Sequence, residues 1–238
     1  ASKDPFPLND QQQAAYDAIC SNESKTYLLH GVTGAGKTEV FLQAAQHYLN
    51  QGKQSLILVP EIALTPLLIG RVKARFGDRV ACLHSGLSNT ERLREWRRIR
   101  SGEADIAVGA RSALFAPFSN LGLMIVDEEH DDSYKQGDGV RYHARDLAIV
   151  RGIFDKCPVV LASATPSVES WYNAQQGKYQ LLRISKRATP KPVPKMSLID
   201  MRGRPPSEII SPEVNVALKE TFRKGGSAIV LFNRRGYA

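Results

Sequence analysis

Residues Gly31-Val32-Thr33-Gly34-Ala35-Gly36-Lys37-Thr38 follow the pattern G-x-x-x-x-G-K-[ST], and no other feature narrows the fold of this chain as far. The pattern has a mechanism only in context. Here an apolar run, Thr26-Tyr27-Leu28-Leu29, leads in as a strand would, and Glu39-Val40-Phe41-Leu42-Gln43-Ala44-Ala45 leads out as a helix would. Glycines let successive backbone N–H groups turn around a phosphate, and the helix N-terminus adds its positive dipole. In such a loop Lys37 would reach the β- and γ-phosphates, and the Thr38 hydroxyl would ligate Mg²⁺.

Short apolar runs recur downstream at Ser55–Val59, Val80–Leu83, Ile106–Val108, Leu123–Val126 and Val159–Ala162, separated by helical or polar segments. Near-continuous Val/Ile/Leu strands alternating with helices predict an α/β domain whose mostly parallel sheet is covered on both faces. Leu8 to Cys20 reads as a helix capped by Asn9 or Asp10. Ser88 and Glu91 have capping-box spacing, and Leu93, Trp96 and Ile99 can line the buried side of the helix that follows. After Ile184 the composition changes. Pro190, Pro192, Pro194, Pro205 and Pro206 mark an extended connector, interrupted by a short strand at Ser197–Asp200. Ser211-Pro212 opens a further helix, and Ala228–Phe232 reads as a last strand. One or two strands and a helix cannot bury a core. The expected division is therefore residues 1–184, the nucleotide-binding lobe, and residues 185–238, a connector with the incomplete start of a second lobe.

The buried run Leu123–Val126 ends in Asp127-Glu128-Glu129-His130. An acid at the C-terminal end of a strand beside a phosphate loop suits a Mg²⁺ ligand. Asp127 would hold the ion together with Thr38, and Glu128 would orient or deprotonate an attacking water.

Charge adds a weaker constraint. The chain carries 32 Lys and Arg against 24 Asp and Glu, a net +8, which favours a polyanionic partner. Much of the excess lies between Arg71 and Arg100, where most arginines would decorate the outside of a solvated helix. No apolar run approaches the ~20 residues of a membrane span, and the N-terminus lacks signal-peptide character. Cys20, Cys82 and Cys157 stand far apart with no C-x-x-C pair, so the chain offers no zinc site and free thiols in a reducing cytoplasm are expected. Cys82, in an apolar run, reads as a core residue.

Several motifs carry a closer resemblance. Asp127-Glu128-Glu129-His130 and Ser163-Ala164-Thr165 resemble motifs II and III of superfamily 2 helicases, and Val59–Thr65 and Gly109–Ser112 resemble their nucleic-acid motifs. Longer strings, Val59–Pro66, Leu83–Ser88, Arg111–Phe118, Asp127–Gln136, Arg141–Asp146 and Phe232–Tyr237, are similar to the PriA (primosomal protein N′) family of replication-restart helicases. The resemblance runs from Leu8 to Ala238. It implies a RecA-like lobe, ATP and Mg²⁺ as cofactors, and 3′-to-5′ DNA unwinding at stalled forks. It further implies single-stranded and forked DNA, primosome proteins and a single-stranded-DNA-binding protein as partners.

Residue by residue, the resemblance gives Gln12, or less directly Gln11, as the reader of adenine; a Gln amide can pair with N6 and N7 together. Pro60 to Thr65, His84, Ser85, Arg111 and Ser112 would line a track for single-stranded DNA, although His84 also suits a buried, hydrogen-bonded role. Tyr134, Lys135, Tyr142, His143 and Arg145 resemble an aromatic-rich loop that senses DNA by stacking and signals to the ATP site; ordinary tyrosine packing is the alternative. Gly137 and Gly139 would let that loop move. His130, Ser163 and Thr165 belong to the coupling motifs. The family's zinc cysteines and arginine finger do not occur in this sequence, so zinc is expected only in the full-length protein. A missing arginine finger costs about 10³–10⁵ in hydrolysis rate in related chemistry. The isolated chain is thus expected to bind nucleotide and hydrolyse it poorly. An RNA helicase, a restriction translocase, or a loading module with a vestigial ATPase are the competing readings.

Overall fold

Several helix starts in this chain are set by side chains that cap them. The Asn9 side chain accepts from the N–H groups of Gln11 and Gln12, and the Gln12 side chain closes a capping box at the head of α1 (Asp10–Ile19). Ser88 and Glu91 form the expected box at α4 (Asn89–Ser101). Ser211 caps α7 (Pro212–Arg223), with Pro212 at the first helical position, where its missing N–H costs nothing. The computed structural model describes residues 5–21, 23–60, 66–187, 195–203, 205 and 209–231. The chain falls into two units, Ala1–Lys191 and Pro192–Ala238.

The first unit holds a seven-stranded sheet in which every described pairing is parallel. Its strands are β1 (Thr26–Gly31), β2 (Gln54–Leu58), β3 (Val80–Leu83), β4 (Ile106–Gly109), β5 (Leu121–Asp127), β8 (Val159–Ser163) and β9 (Gln180–Ile184). They lie in the order β3-β4-β2-β5-β8-β1-β9. Two further strands, β6 (Lys135–Gln136) and β7 (Tyr142–His143), form a small antiparallel hairpin. All six strands expected from apolar runs are present. The edge strand β9 and the hairpin were not expected; their residues mix polar and apolar side chains and lack a continuous buried run.

Alternation along the strands splits the core into two layers. Leu29, Ile57, Val108 and Ile125 pack on one face with Phe41 of α2 (Lys37–Asn50) and Val72 of α3 (Pro66–Phe76). Leu28, Leu58, Val126 and Leu161 pack on the other with Ile99 of α4 and Ala148 of α5 (Ala144–Asp155). Trp171 of α6 (Val168–Gln175) packs against that second layer. Burial on both faces explains why these strands read as unbroken apolar runs. Cys82 is half-buried and Cys157 buried, and burial raises both thiols, that of Cys157 to about 12. Among the described residues no helix is long and apolar enough to cross a membrane.

The second unit differs from expectation. Residues 197–200 and 228–231 are not strands, although their sequences are apolar. A strand is stabilised by a neighbour's backbone, and neither segment has one among the described residues. Phe232 to Tyr237, which carries the last resemblance motif, lies outside the described residues.

Candidate ATP site and nucleic-acid interface

The site grows from the C-terminal ends of the strands, where open α/β sheets bind ligands. The phosphate loop leaves β1 and runs into α2. Gly34 and Gly36 both adopt φ of +79°, a left-handed conformation that costs a side-chain-bearing residue heavily. At Gly31 an added Cβ would come within 3.1 Å of the Lys37 stem. Inside the loop, the Ala35 N–H bonds the Val32 carbonyl. Among the described residues the N–H groups of Thr33, Gly34, Gly36, Lys37 and Thr38 take no backbone carbonyl. These are the orphan donors of a helix start joined to a glycine turn, which is the donor set a phosphate needs. The buried Lys37 ammonium donates to the Gly31 carbonyl at 2.7 Å, so it finds an oxygen partner within the loop. The half-buried Thr38 hydroxyl has no hydrogen-bond partner among the described residues, which leaves it free to meet a metal ion.

Between β1 and β5 lies β8, so the phosphate loop and the acids at the end of β5 flank the end of β8. Burial pushes the Asp127 carboxyl up to about 6; the neighbouring Glu128 charge adds to this, while the Glu128 N–H and the Lys37 ammonium pull the other way. A carboxyl raised by burial and by a neighbouring acid is a ligand whose charge a divalent ion would satisfy. Glu128 adopts φ of +46°, a strained conformation for a residue with a side chain. His130 Nδ1 shares a 2.8 Å hydrogen bond with Ser163 Oγ, which also accepts from the Thr165 N–H at 2.9 Å. His130 Nδ1 lies 3.7 Å from the Glu128 carboxylate. A contiguous polar path therefore joins Glu128, His130, Ser163 and Thr165 across the ends of β5 and β8.

Glu129 was given no role by sequence reasoning, yet it is fully buried. It accepts hydrogen bonds from the Ser167 N–H (2.7 Å), Ser167 Oγ (2.9 Å), Ser170 Oγ (2.8 Å) and Arg145 Nη1 (3.2 Å). Its own N–H bonds the Ala162 carbonyl. This ties the acidic turn to the first turn of α5 and to the cap and first turn of α6. No local signal marks Glu129, because its partners lie 16 to 41 residues away.

Gln12 is buried, and its amide is engaged on both sides: Oε1 accepts from Asn9 N–H, and Nε2 donates to the Ala35 carbonyl of the phosphate loop, each at 2.8 Å. Gln11 is half-buried and clasps Ser185 and Lys186. The loop after motif II corrects part of the stacking expectation. Tyr134 is fully buried and donates to the Asp127 carbonyl at 2.6 Å, so its ring has no face for a base. Arg145 is buried in its ion pairs with Glu129 and Asp146. Tyr142 stands edge-on to the exposed Phe115 at 5.3 Å, His143 is half-buried with Nδ1 unpartnered among the described residues, and Lys135 is exposed. Burial, ahead of the nearby Arg145 charge, lowers the His143 pKa.

Of the track residues, Ser85 and Ser112 are exposed and His84 is half-buried. Pro60 is buried at the end of β2, so its side chain offers no surface. Thr65 lies outside the described residues. Gly109 ends β4 where a Cβ would come 2.4 Å from the Ala113 Cβ and 2.5 Å from the Leu83 carbonyl. The chain turns there into a 3₁₀ turn, Arg111–Phe115. Arg111 Nη1 donates to the carbonyls of Ser133 (3.1 Å) and Lys135 (2.6 Å), joining this turn to the loop after motif II.

The family model for DEAD/DEAH box helicases matches residues 9–173, and the chain belongs to that family. Within it, the chain is 49% identical over 242 residues to the Replication restart protein PriA of Bacillus subtilis, across 99% of this chain and 30% of that protein. It is 47% identical over 232 residues to the Replication restart protein PriA of Haemophilus influenzae, across 97% of this chain and 32% of that protein. The chain thus spans about a third of the length of these relatives. Among solved structures, RecG bound to a three-way DNA junction matches with a TM-score of 0.60 at 22% identity, over 93% of this chain and 29% of that one. The DEAD-box helicase Mss116 bound to ssRNA and UDP-BeF matches at 0.55 and 20% identity, over 76% of this chain and 40% of that one. The fold is that of RecA-like helicase lobes, as the motif order implies.

Proposed function

We propose that this chain is the ATP-binding lobe of a 3′-to-5′ DNA helicase that remodels stalled forks during replication restart. The observation that carries the reading is the phosphate loop: glycines in left-handed conformations and N–H groups that take no backbone carbonyl among the described residues, across the end of β8 from Asp127. The identity to PriA proteins supports the choice among helicases.

In this reading the N–H groups of the loop and Lys37 hold the β- and γ-phosphates of ATP, while Gln12, whose buried amide bonds Asn9 and the Ala35 carbonyl, meets the adenine only by giving up those bonds. Thr38 and Asp127 hold Mg²⁺, which when bound neutralises charge on the transferring phosphoryl group. Glu128 orients the attacking water and accepts its proton. The path through His130, Ser163 and Thr165, together with the hairpin and Arg111, relates DNA on the track to the water at Glu128. His84, Ser85, Arg111 and Ser112 contact phosphates without reading sequence. The full-length protein acts in the cytoplasm with primosome proteins and a single-stranded-DNA-binding protein, and this chain alone hydrolyses ATP slowly.

The test is ATPase rate with and without single-stranded DNA, on this chain and on a longer one carrying the complete second lobe. DNA-stimulated turnover confined to the longer chain is expected. No DNA response in either would sink the helicase reading and favour a loading module. RNA that competes as well as DNA would move the assignment to an RNA helicase. In the longer chain, Lys37→Ala abolishes nucleotide-dependent activity while leaving the fold intact.

A further inference from the structure

We propose that the outward face of α4 is a second nucleic-acid contact, gripping the phosphate backbone of DNA outside the strand-end track. The inference rests on the DNA-motor reading and adds a surface that the helicase motifs do not include.

The helix holds five arginines in the thirteen residues Asn89–Ser101. One of them serves the fold. Arg98 donates to Glu95 Oε2 at 2.8 Å and to the Val80 and Asp78 carbonyls. Both acids of the helix are also committed. Glu95 is buried between Arg98 and, at 3.5 Å, Arg94. Glu91 is held at the helix start by the Ser88 N–H (2.9 Å) and hydroxyl (2.7 Å). Arg92, Arg97 and Arg100 are exposed, and no ion pair neutralises them among the described residues. Arg94, Arg97 and Arg100 recur at three-residue spacing, where like charges repel by a few tenths of a kcal/mol per pair. The helix dipole favours Arg98 and Arg100 near the C-terminus but opposes Arg92 in the first turns. Neither helix stability nor the core accounts for this face, whereas a polyanion does. Arg92 to Arg100 spans about 12 Å of helix, enough for more than one phosphate.

The face also has the right neighbour. The Leu87 N–H donates to the His84 carbonyl, so α4 begins one turn from the track. Glu91 lies below the ordinary carboxylate range, chiefly through Ser88, and also through the nearby Arg94 and His84.

The test is the triple variant Arg92→Gln, Arg97→Gln, Arg100→Gln in this chain. Binding to labelled single-stranded and forked DNA is read by anisotropy across a salt series. Each phosphate that the protein no longer neutralises lowers the slope of log K against log salt by about 0.7–0.9, so a fall of about 2–3 is expected. Affinity for Mg²⁺-nucleotide stays unchanged. A control triple, Lys219→Gln, Arg223→Gln, Lys224→Gln on the exposed side and C-terminal cap of α7, removes the same charge elsewhere. An unchanged slope in the α4 triple, or an equal fall in the control, overturns the proposal. Absence of DNA binding by the unsubstituted chain overturns both the track and this surface. Intact DNA binding without nucleotide binding overturns the motor reading alone.

Discussion

Asp127, Glu128 and Glu129 are adjacent acids at the end of one strand, and the fold treats them in opposite ways. Glu129 is sealed from water and receives four hydrogen bonds, one from a guanidinium. Asp127 receives one, from the next N–H, and its carboxyl is pushed up to about 6, first by burial and then by Glu128. Glu128 sits in a strained backbone conformation with its side chain well exposed. A saturated acid is a fastener, because its partners are already in place. An under-satisfied acid holds coordination capacity in reserve for a ligand. The difference shows how one short turn is clamped at Glu129 so that the Asp127 carboxyl can be held in unfavourable surroundings and Glu128 in a strained backbone conformation.

The comparison breaks first at Glu129. Glu129→Ala leaves the buried Arg145 with only the exposed Asp146 as an acid and removes the acceptor of Ser167 and Ser170. Losing one partner of a buried pair costs about 3–5 kcal/mol. For a unit of this size that is a fall in thermal midpoint of roughly 10 °C, read by differential scanning fluorimetry. A midpoint within a degree or two of the parent would mean that the network is ornamental. Asp127→Asn should behave in the opposite way. Removing a charge that the fold disfavours leaves the midpoint unchanged or higher, while Mg²⁺-dependent nucleotide affinity falls about tenfold or more. The sign follows from linkage. An acid raised in the folded state weakens the fold at neutral pH, and that penalty fades as pH drops through about 6 towards the unfolded value. A large destabilisation by Asp127→Asn would erase the distinction between fastener and reserve.

The same contrast marks what could be read in advance. The phosphate loop and the acid at the end of β5 are local patterns, and both stand where strand and helix periodicity place them. Six of the seven strands of the main sheet are legible because burial leaves only apolar side chains along most of their length; in β2 every residue is buried. Glu129 was not legible. Its serines and arginine reach it only when β5 and β8 lie side by side, and nothing in an acidic turn says which acid goes inward. Tyr134 went wrong for a related reason: an aromatic among cations suggests stacking, but the fold points this one beneath Asp127. Residues 228–231 make the converse point, since an apolar β-branched run is a strand only when another backbone pairs with it.

The smallest prediction sharpens the comparison on the DNA side. Arg145 touches the last of the acids and Arg111 the segment that follows them, but Arg145 is buried in ion pairs, whereas Arg111 spends one nitrogen on the Ser133 and Lys135 carbonyls at a partly exposed site. If exposed groups are held for ligands and saturated ones for the fold, Arg111→Ala changes stability by less than about 0.5 kcal/mol, the usual range for surface substitutions. DNA affinity falls, and the salt slope drops by about 1, the share of a single phosphate. Anisotropy titrations at several salt concentrations separate this from a general loss of fold. An unchanged slope with a lowered midpoint would make Arg111 a second Arg145: a brace between the turn after β4 and the loop after β5, with no hand on the DNA.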